Sequence, residues 1–372
     1  MDCEGVGERC KTEGMTIGRV RPAILDMPSY RPGKAAEQIE QEQQLEDAIK
    51  LASNENPWSP IPEVADAIAA AISGVNRYGD NAGMQVREAL SEWLGHAVDS
   101  ITLGSGSSGL LQQLFFAYVD AGDEVVFPYP SFEVYPIFSR QFGATAVSVP
   151  LVDYAFDLDA VAAAVTDRTK LIFLATPNNP TGTSVSTGEI SVLLSKIPKD
   201  VVVVVDEAYR EFNDPDFGDP ASLLTAHDNL VITRTFSKAF GLAGLRSGYA
   251  IAHPEIVDQL DKVRLPFSVN NLAQAAMLAA LEHRDSAIER VEELNRERTR
   301  MVNELRSAGI ELPDPQANFI FIPTGEDTMA YGEKMEQQGI AVRPFPDLGL
   351  RITIGTPAEN DRWVAALLKI LT

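Results

Sequence analysis

Compact apolar runs and stretches with helical spacing take turns along most of this chain. Residues 101–103, 124–127, 145–149, 171–175, 201–205, 230–233 and 249–252 are short β-rich runs that predict strands. Between several of them, residues 133–142, 187–196 and 254–264 carry the apolar spacing of helices. Upstream, the stretch 62–72 puts Val64, Ile68 and Ile72 on one helical face, and Val86, Leu90 and Leu94 recur at spacing four. Strands that alternate with helices predict an α/β unit with a mostly parallel sheet covered on both faces. The run Val201, Val202, Val203, Val204, Val205 has no polar face, so it predicts a central strand buried on both sides.

The rhythm changes near residue 270. Two long helices (about 270–283 and 285–308), a strand at 319–322, a helix at 328–338, a strand pair around 341–343 and 350–354, and a last helix from 358 predict a smaller α+β domain. At the other end, the turn-rich 28–34 and the acidic, glutamine-rich residues after it read as an arm. The expected division is an extension and arm over 1–50 that packs with the small domain, a large α/β domain over 51–270 and the small domain over 271–372. Residues 1–15 are polar and expected to be disordered, with Met15 a second candidate start. There is no internal repeat and no low-complexity linker, so the two domains are expected to pack closely.

Composition narrows the partners. Across 372 residues, 53 acidic and 31 basic side chains give a formal net charge of −22. That surplus argues against nucleic acid and anionic membranes, which need a basic face. A few local arginines could still bind a small anion. The two cysteines, Cys3 and Cys10, form no disulfide framework, and His96, His227, His253 and His283 are scattered without ligand spacing, so no metal is expected. No apolar run is long enough to span a bilayer and no secretory signal is visible, so a reducing cytoplasm is expected.

The densest chemistry lies at Thr235-Phe236-Ser237-Lys238-Ala239-Phe240-Gly241-Leu242-Ala243-Gly244-Leu245-Arg246. A lysine can condense with an aldehyde, and hydroxyls with an arginine can hold a phosphate. Pyridoxal phosphate (PLP) carries both groups. Such a lysine must be neutral for part of its cycle, which burial and nearby positive charge promote; otherwise it is a solvated surface lysine. Asp206 ends the valine run, where the ends of parallel strands form ligand crevices. There a carboxylate can keep a pyridine nitrogen protonated, or merely start a turn. Gly104 to Gly109 matches G-x-G-x-x-G after a predicted strand and before a helix beginning near Leu110. Helix-start amides hold phosphate whichever cofactor carries it, so a nicotinamide-dependent oxidoreductase, with Asp123 or Glu124 on a ribose, is the rival reading.

Pro177-Asn178-Asn179-Pro180-Thr181-Gly182 is a turn whose asparagines can reach a crevice. Phe132 or Tyr135 could stack on an aromatic ring, or fill core. Arg343 and Arg351 sit among apolar residues and need an acidic partner or an anionic ligand.

These stretches together resemble the fold-type I PLP-dependent aminotransferases, in the histidinol-phosphate and aromatic-amino-acid branch. The resemblance runs from about Arg21 to the C-terminus and rests on Ser53-Asn54-Glu55-Asn56-Pro57, Asn178 to Gly182, Asp206-Glu207-Ala208-Tyr209, Thr235-Phe236-Ser237-Lys238 with Arg246, and Leu350-Arg351-Ile352-Thr353-Ile354-Gly355. It implies that Lys238 binds the cofactor covalently and shuttles a proton. Asp206 pairs with the pyridine nitrogen, and Tyr209 and Asn179 with the 3-oxygen. Thr235, Ser237, Arg246 and the amides of Gly106, Ser107 and Ser108 hold the phosphate. Phe132 takes the stacking place. Tyr78 reaches the phosphate of a neighbouring subunit, implying a homodimer with shared sites.

Tyr30, Asn54, Asn179, Arg343 and Arg351 meet the substrate. The implied reaction is a ping-pong transfer from an amino donor to a 2-oxo acid such as 2-oxoglutarate. Gly106-Ser107-Ser108-Gly109-Leu110 lacks the acidic residues usual in the histidinol-phosphate enzymes. Ser131-Phe132-Glu133-Val134-Tyr135-Pro136 and Val342-Arg343-Pro344-Phe345-Pro346 look like the aromatic branch. Aromatic amino acids are therefore the favoured donors, with histidinol phosphate the alternative. A PLP-binding regulator or a decarboxylase on the same fold is the remaining rival; no attached DNA-binding domain supports a regulator.

Overall fold

A computed structural model describes residues 20–25, 27 and 33–371. Its strands are β1 (Ile49–Lys50), β2 (Ile101–Gly104), β3 (Glu124–Tyr129), β4 (Thr145–Pro150), β5 (Thr169–Ala175), β6 (Val202–Asp206), β7 (Leu230–Thr235), β8 (Gly248–Ala252), β9 (Phe319–Pro323), β10 (Ile340–Ala341), β11 (Arg343–Phe345) and β12 (Gly349–Thr353). Seven of them form one sheet in the order β2-β8-β7-β6-β5-β3-β4. The neighbours from β7 to β4 are parallel, and β8 runs antiparallel to both β2 and β7.

The valine run is the middle strand of the seven, and its side chains divide between the two faces. Val202 and Val204 join Leu110, Leu114, Phe115, Phe173 and Leu260 on one face. Val203 and Val205 join Leu90, Ile172, Ile232, Ala276 and Met277 on the other. Each such side chain, fully buried, contributes roughly 1.5–3 kcal/mol over an exposed one. This double cover is why the strand carries no polar alternation until Asp206.

The smaller sheet is antiparallel, in the order β11-β12-β9. Residues 51–54 run beside it: Thr353 N–H donates to Leu51 O at 2.9 Å, and Asn54 N–H to Thr353 Oγ1 at 2.9 Å. β1 pairs in parallel with β10. The loop that starts at Ser53 is thus tied to the small sheet while it faces the end of the large one. No helix among the described residues is long and apolar enough to cross a membrane.

Three local expectations need correction. The glycine stretch is only half loop, because the helix Gly106–Tyr118 begins inside it. The expected strand at 341–343 is two strands split at Val342, with β10 joining β1 and β11 joining β12. Ile72 is 56% exposed, so the face shared with buried Val64 ends before it. The acidic stretch of the arm forms the helix Ala36–Gln43, whose one buried residue is Ile39. The helix Leu158–Ala163 had no expected counterpart; at six residues it is too short to show a period.

Candidate functional site

The C-terminal ends of β6 and β7, the start of the helix Gly106–Tyr118, the 53–55 loop and the β11–β12 hairpin enclose one cavity. Ligand crevices of open α/β sheets lie in this place, because parallel strands deliver successive loops to one edge.

Asp206 closes β6 and is 3% exposed. Thr233 Oγ1 donates to its Oδ1 at 3.0 Å, and Tyr135 Oη donates to its Oδ2 at 3.0 Å. Burial pushes its pKa up to about 6, although both hydrogen bonds favour the charged form. Tyr135 is fully buried, stacked on Phe173 with centroids 4.8 Å apart.

Lys238 follows β7 by three residues. Its Nζ donates to Ser53 O at 3.2 Å and lies 5.8 Å from the ring centroid of Tyr209. Burial, then the Arg351 guanidinium, bring its pKa down to about 7; Arg246 adds to this and Glu55 opposes it. The shift favours the neutral amine, the form that condensation with an aldehyde requires.

Beside the lysine, Thr235 Oγ1 and Ser237 Oγ are 2.9 Å apart, and Arg246 Nη1 donates to Ser237 Oγ at 3.4 Å. Gly106 has φ +71°, and a Cβ there would meet Arg246 Nη2 at 2.6 Å. A Cβ on Gly248 would come within 2.8 Å of Ser107 N. Only glycines let the arginine, the end of β7 and the first turn of the helix close on one point. Helix-start amides, two hydroxyls and a guanidinium in that space make an anion cradle.

On the loop after Asp206, Tyr209 Oη accepts from Asn54 Nδ2 at 2.9 Å. Arg351 Nη1 donates to Asn179 Oδ1 at 2.5 Å and Nη2 to Ala52 O at 2.6 Å. Arg343 Nη2 donates to Glu133 Oε2 at 2.8 Å. Phe132 and Phe345 also line the cavity, the Phe132 ring 5.8 Å from that of Tyr135.

The fold brings Lys238, Asp206, Tyr209, Ser107, Ser108, Phe132, Asn54, Asn179, Thr235, Ser237, Arg246, Arg343 and Arg351 to the same cavity, with Gly106 packed against Arg246 behind it. Asn178 is not with them. It is buried inside its own loop, bonded to Pro130 O, Ser131 and Thr181. Tyr135 does not face the cavity either; it lies behind Asp206. Tyr78 is 82% exposed and stacks on Phe267 at 4.4 Å, away from the cavity of its own chain. Tyr30 lies outside the described residues. The sequence reading missed Thr233 and Glu133 as neighbours of site residues. Thr233 carried a signal, because it pairs in register with Asp206 across β6 and β7; Glu133 carried none.

An amine, an anion cradle, a buried carboxylate and an aromatic face within one cavity fit the aldehyde, phosphate, pyridine nitrogen and ring of PLP. Among the described residues, no group of three or more metal-ligating side chains competes with that reading.

Residues 46–367 match the family described as aminotransferase class I and II. The chain is 44% identical over 355 residues to the aromatic amino acid aminotransferase of Mycolicibacterium smegmatis, covering 93% of this chain and 96% of that one. It is 45% identical over 349 residues to the enzyme of the same name from Cutibacterium acnes, covering 93% and 97%. Among solved structures it is similar to histidinol-phosphate aminotransferase from Sinorhizobium meliloti in complex with pyridoxal-5'-phosphate, with a TM-score of 0.87, 28% identity, and 96% and 99% of the two chains covered. The chain belongs to the class I and II aminotransferases, PLP-dependent enzymes of fold type I, and its substrates are an amino donor and a keto acid.

Proposed function

We propose that this PLP-dependent aminotransferase takes the amino group from an aromatic L-amino acid (phenylalanine, tyrosine or tryptophan) and passes it to a 2-oxo acid such as 2-oxoglutarate, in ping-pong order. The observation that carries this reading is the rim of the cavity. Phe345 gives it apolar surface, and the Arg343 guanidinium is engaged by Glu133. The names of the relatives at 44% and 45% identity support it. Histidinol phosphate is the second reading, supported by the S. meliloti structure and by two arginines that could hold a phosphate.

Bound PLP supplies an aldehyde that exchanges amines and a ring that accepts electrons from the substrate's α-carbon. In the proposed assignment Lys238 attaches the cofactor, then removes and returns the substrate proton. Asp206 holds a proton on the ring nitrogen, and Tyr209 and Asn179 serve the 3-oxygen. Thr235, Ser237, Arg246 and the amides of Gly106, Ser107 and Ser108 hold the phosphate, while Phe132 covers the ring. Arg351 takes the substrate carboxylate, and Asn54 lines the substrate space.

We also infer a homodimer in which Tyr78 enters the partner's site. Exposed Tyr78 (82%) stacks on partly exposed Phe267, and exposed Val75 and Leu265 precede them in sequence; an apolar surface of this kind supports association. Residues 51–270 and 271–372 are the proposed large and small domains, with the arm against the small one, and the proposed location is the cytoplasm.

Purified protein with PLP and 2-oxoglutarate tests the donor. The expected result is a kcat/KM for phenylalanine at least about tenfold above that for histidinol phosphate. Faster turnover of histidinol phosphate overturns the aromatic assignment.

A further inference from the structure

We propose that Glu133 is a specificity-determining residue, which holds Arg343 at the rim so that a substrate's second anionic group must displace it. This rests on the aminotransferase reading and concerns the same cavity.

Antiparallel pairing of β11 with β12 sets Arg343 directly opposite Arg351. Like charges in that relation repel. Two features of the structure offset this. Both guanidiniums lie against the Phe345 ring, whose centroid is 5.8 Å from Cζ of Arg343 and 5.7 Å from Cζ of Arg351, and its π face attracts each cation. From the other side of the cavity, Glu133 lies next to the helix Val134–Phe142 and meets Arg343 at 2.8 Å.

The two arginines are not equivalent. Arg351 is 7% exposed and held by Asn179 and Ala52. The Arg343–Glu133 pair sits at the mouth, with side chains 16% and 38% exposed. Exposed pairs exchange partners at little cost, whereas buried ones do not.

The reaction needs both kinds of partner in one space. An aromatic donor has one carboxylate and a neutral side chain; the keto acid in the favoured scheme has a second carboxylate. With the donor present, the Arg343–Glu133 pair stays closed and offers the ring the flat side of a neutralised guanidinium. With the dicarboxylate present, Arg343 turns to its distal carboxylate and Glu133 turns to water. Glu133 thus holds down affinity for doubly anionic substrates and leaves neutral side chains nearly untouched. Specificity of this kind is built as much from a competing charge as from an attractive one.

The test uses holoenzyme in three forms: unaltered, Glu133→Gln and Arg343→Gln. Two unreactive acids are titrated by calorimetry: glutarate, with two carboxylates, and 3-phenylpropionate, with one carboxylate and a ring. In Glu133→Gln, glutarate is expected to bind about tenfold tighter, with 3-phenylpropionate changing by less than about threefold. In Arg343→Gln, glutarate is expected to weaken by about tenfold or more. In turnover, Glu133→Gln lowers KM for 2-oxoglutarate while leaving KM for phenylalanine within about threefold. An equal change for both acids in Glu133→Gln, or weaker binding of glutarate, overturns the proposal and leaves Glu133 a structural residue. Failure of the aromatic assignment is a separate result, read from the donors of the unaltered enzyme. The glutarate ratio between variants does not depend on it.

Discussion

The floor of the cavity and its rim are built on opposite terms. At the floor, Asp206, Thr233 and Thr235 close two adjacent parallel strands and are buried. Behind them Arg234 bonds Glu207 at 2.9 Å and Asp219 at 2.7 Å, which ties those strand ends to the loop that follows Tyr209. At the rim, Arg343 and Glu133 come from separate elements and stay partly in water. Burial is what moves Asp206 up to about 6 and Lys238 down to about 7. A site that must alter acidity needs the first environment; one that must accept two differently charged substrates needs the second. The comparison predicts that floor variants change chemistry and rim variants change choice.

Lys238→Ala is expected to make the largest break. With the proposed proton carrier gone, kcat should fall by at least about 10⁴-fold while PLP still binds noncovalently; ordinary turnover in a single-turnover assay would falsify the role. The depressed pKa adds a stability prediction for the cofactor-free protein. Between about 7 and about 10.4 the unfolded chain carries a proton on this lysine that the folded chain has lost. Stability therefore rises with pH across that window, and the cost of burying the ammonium is complete below it. Lys238→Met should raise the Tm of cofactor-free protein at pH 6.5, with the gain shrinking toward pH 10. A gain independent of pH would point to packing instead.

Asp206→Asn should cost about 10²- to 10³-fold in kcat, the usual scale for one lost electrostatic contact in a dry site. Its effect on the cofactor-free fold runs the other way. Asp206 is raised to about 6, so the folded chain binds more protons than the unfolded one between about 3.9 and 6. Whatever stability it has below that range is lost as pH rises through 6. At pH 8 the cofactor-free Asp206→Asn variant should melt no lower than the parent, and the advantage should vanish by pH 4. A lower Tm at pH 8 would mean that the carboxylate stabilises the floor, and the contrast with the rim would fail.

Arg351→Gln lies between floor and rim, since it is buried like the first and proposed to bind substrate like the second. The expected change is a rise of about 10- to 100-fold in KM for donor and acceptor alike. A change confined to 2-oxoglutarate would make Arg351, not Arg343, the reader of the second charge.

Most of the floor was legible in the sequence because it is made by one run of chain at a time. A valine run ending in an acid, a hydroxyl-lysine stretch and a glycine-opened helix each betray their place through local pattern, and sheet order only has to set them side by side. Local pattern hides the start of the glycine helix, since glycine and serine carry little helical propensity and the dihedral freedom of Gly106 is used for a close approach. The rim was less legible. Arg343 and Arg351 could be read as needing an anion, but Glu133 is 210 positions away in sequence and nothing local marks it. Asn178 and Asn179 are adjacent and chemically identical, so only the loop's path decides that the first is buried and the second faces the cavity. Local pattern marks Tyr135 only as an aromatic ring, whereas its hydroxyl is the part that touches the site.

That hydroxyl gives the smallest and most discriminating test of the floor. Tyr135 and Thr233 each donate to a different oxygen of Asp206 at 3.0 Å, which holds the carboxylate plane and favours its charged form. Tyr135→Phe keeps the ring stacked on Phe173 and removes one donor. Leaving a buried acceptor short of a partner costs about 1–3 kcal/mol, and the loss should appear chiefly where Asp206 is charged. Cofactor-free Tyr135→Phe should therefore match the parent near pH 4 and fall below it as pH rises past 6, because the carboxyl now holds its proton to higher pH. With PLP bound, kcat should drop by no more than about tenfold, since Asp206 remains to serve the ring nitrogen. Thr233→Val should repeat the pattern from the other oxygen, and the double variant should exceed the sum of the two, as donors to the two oxygens of one carboxylate couple. A Tyr135→Phe penalty equal at pH 4 and pH 8 would assign the tyrosine to the core and leave Asp206 oriented by its strand alone.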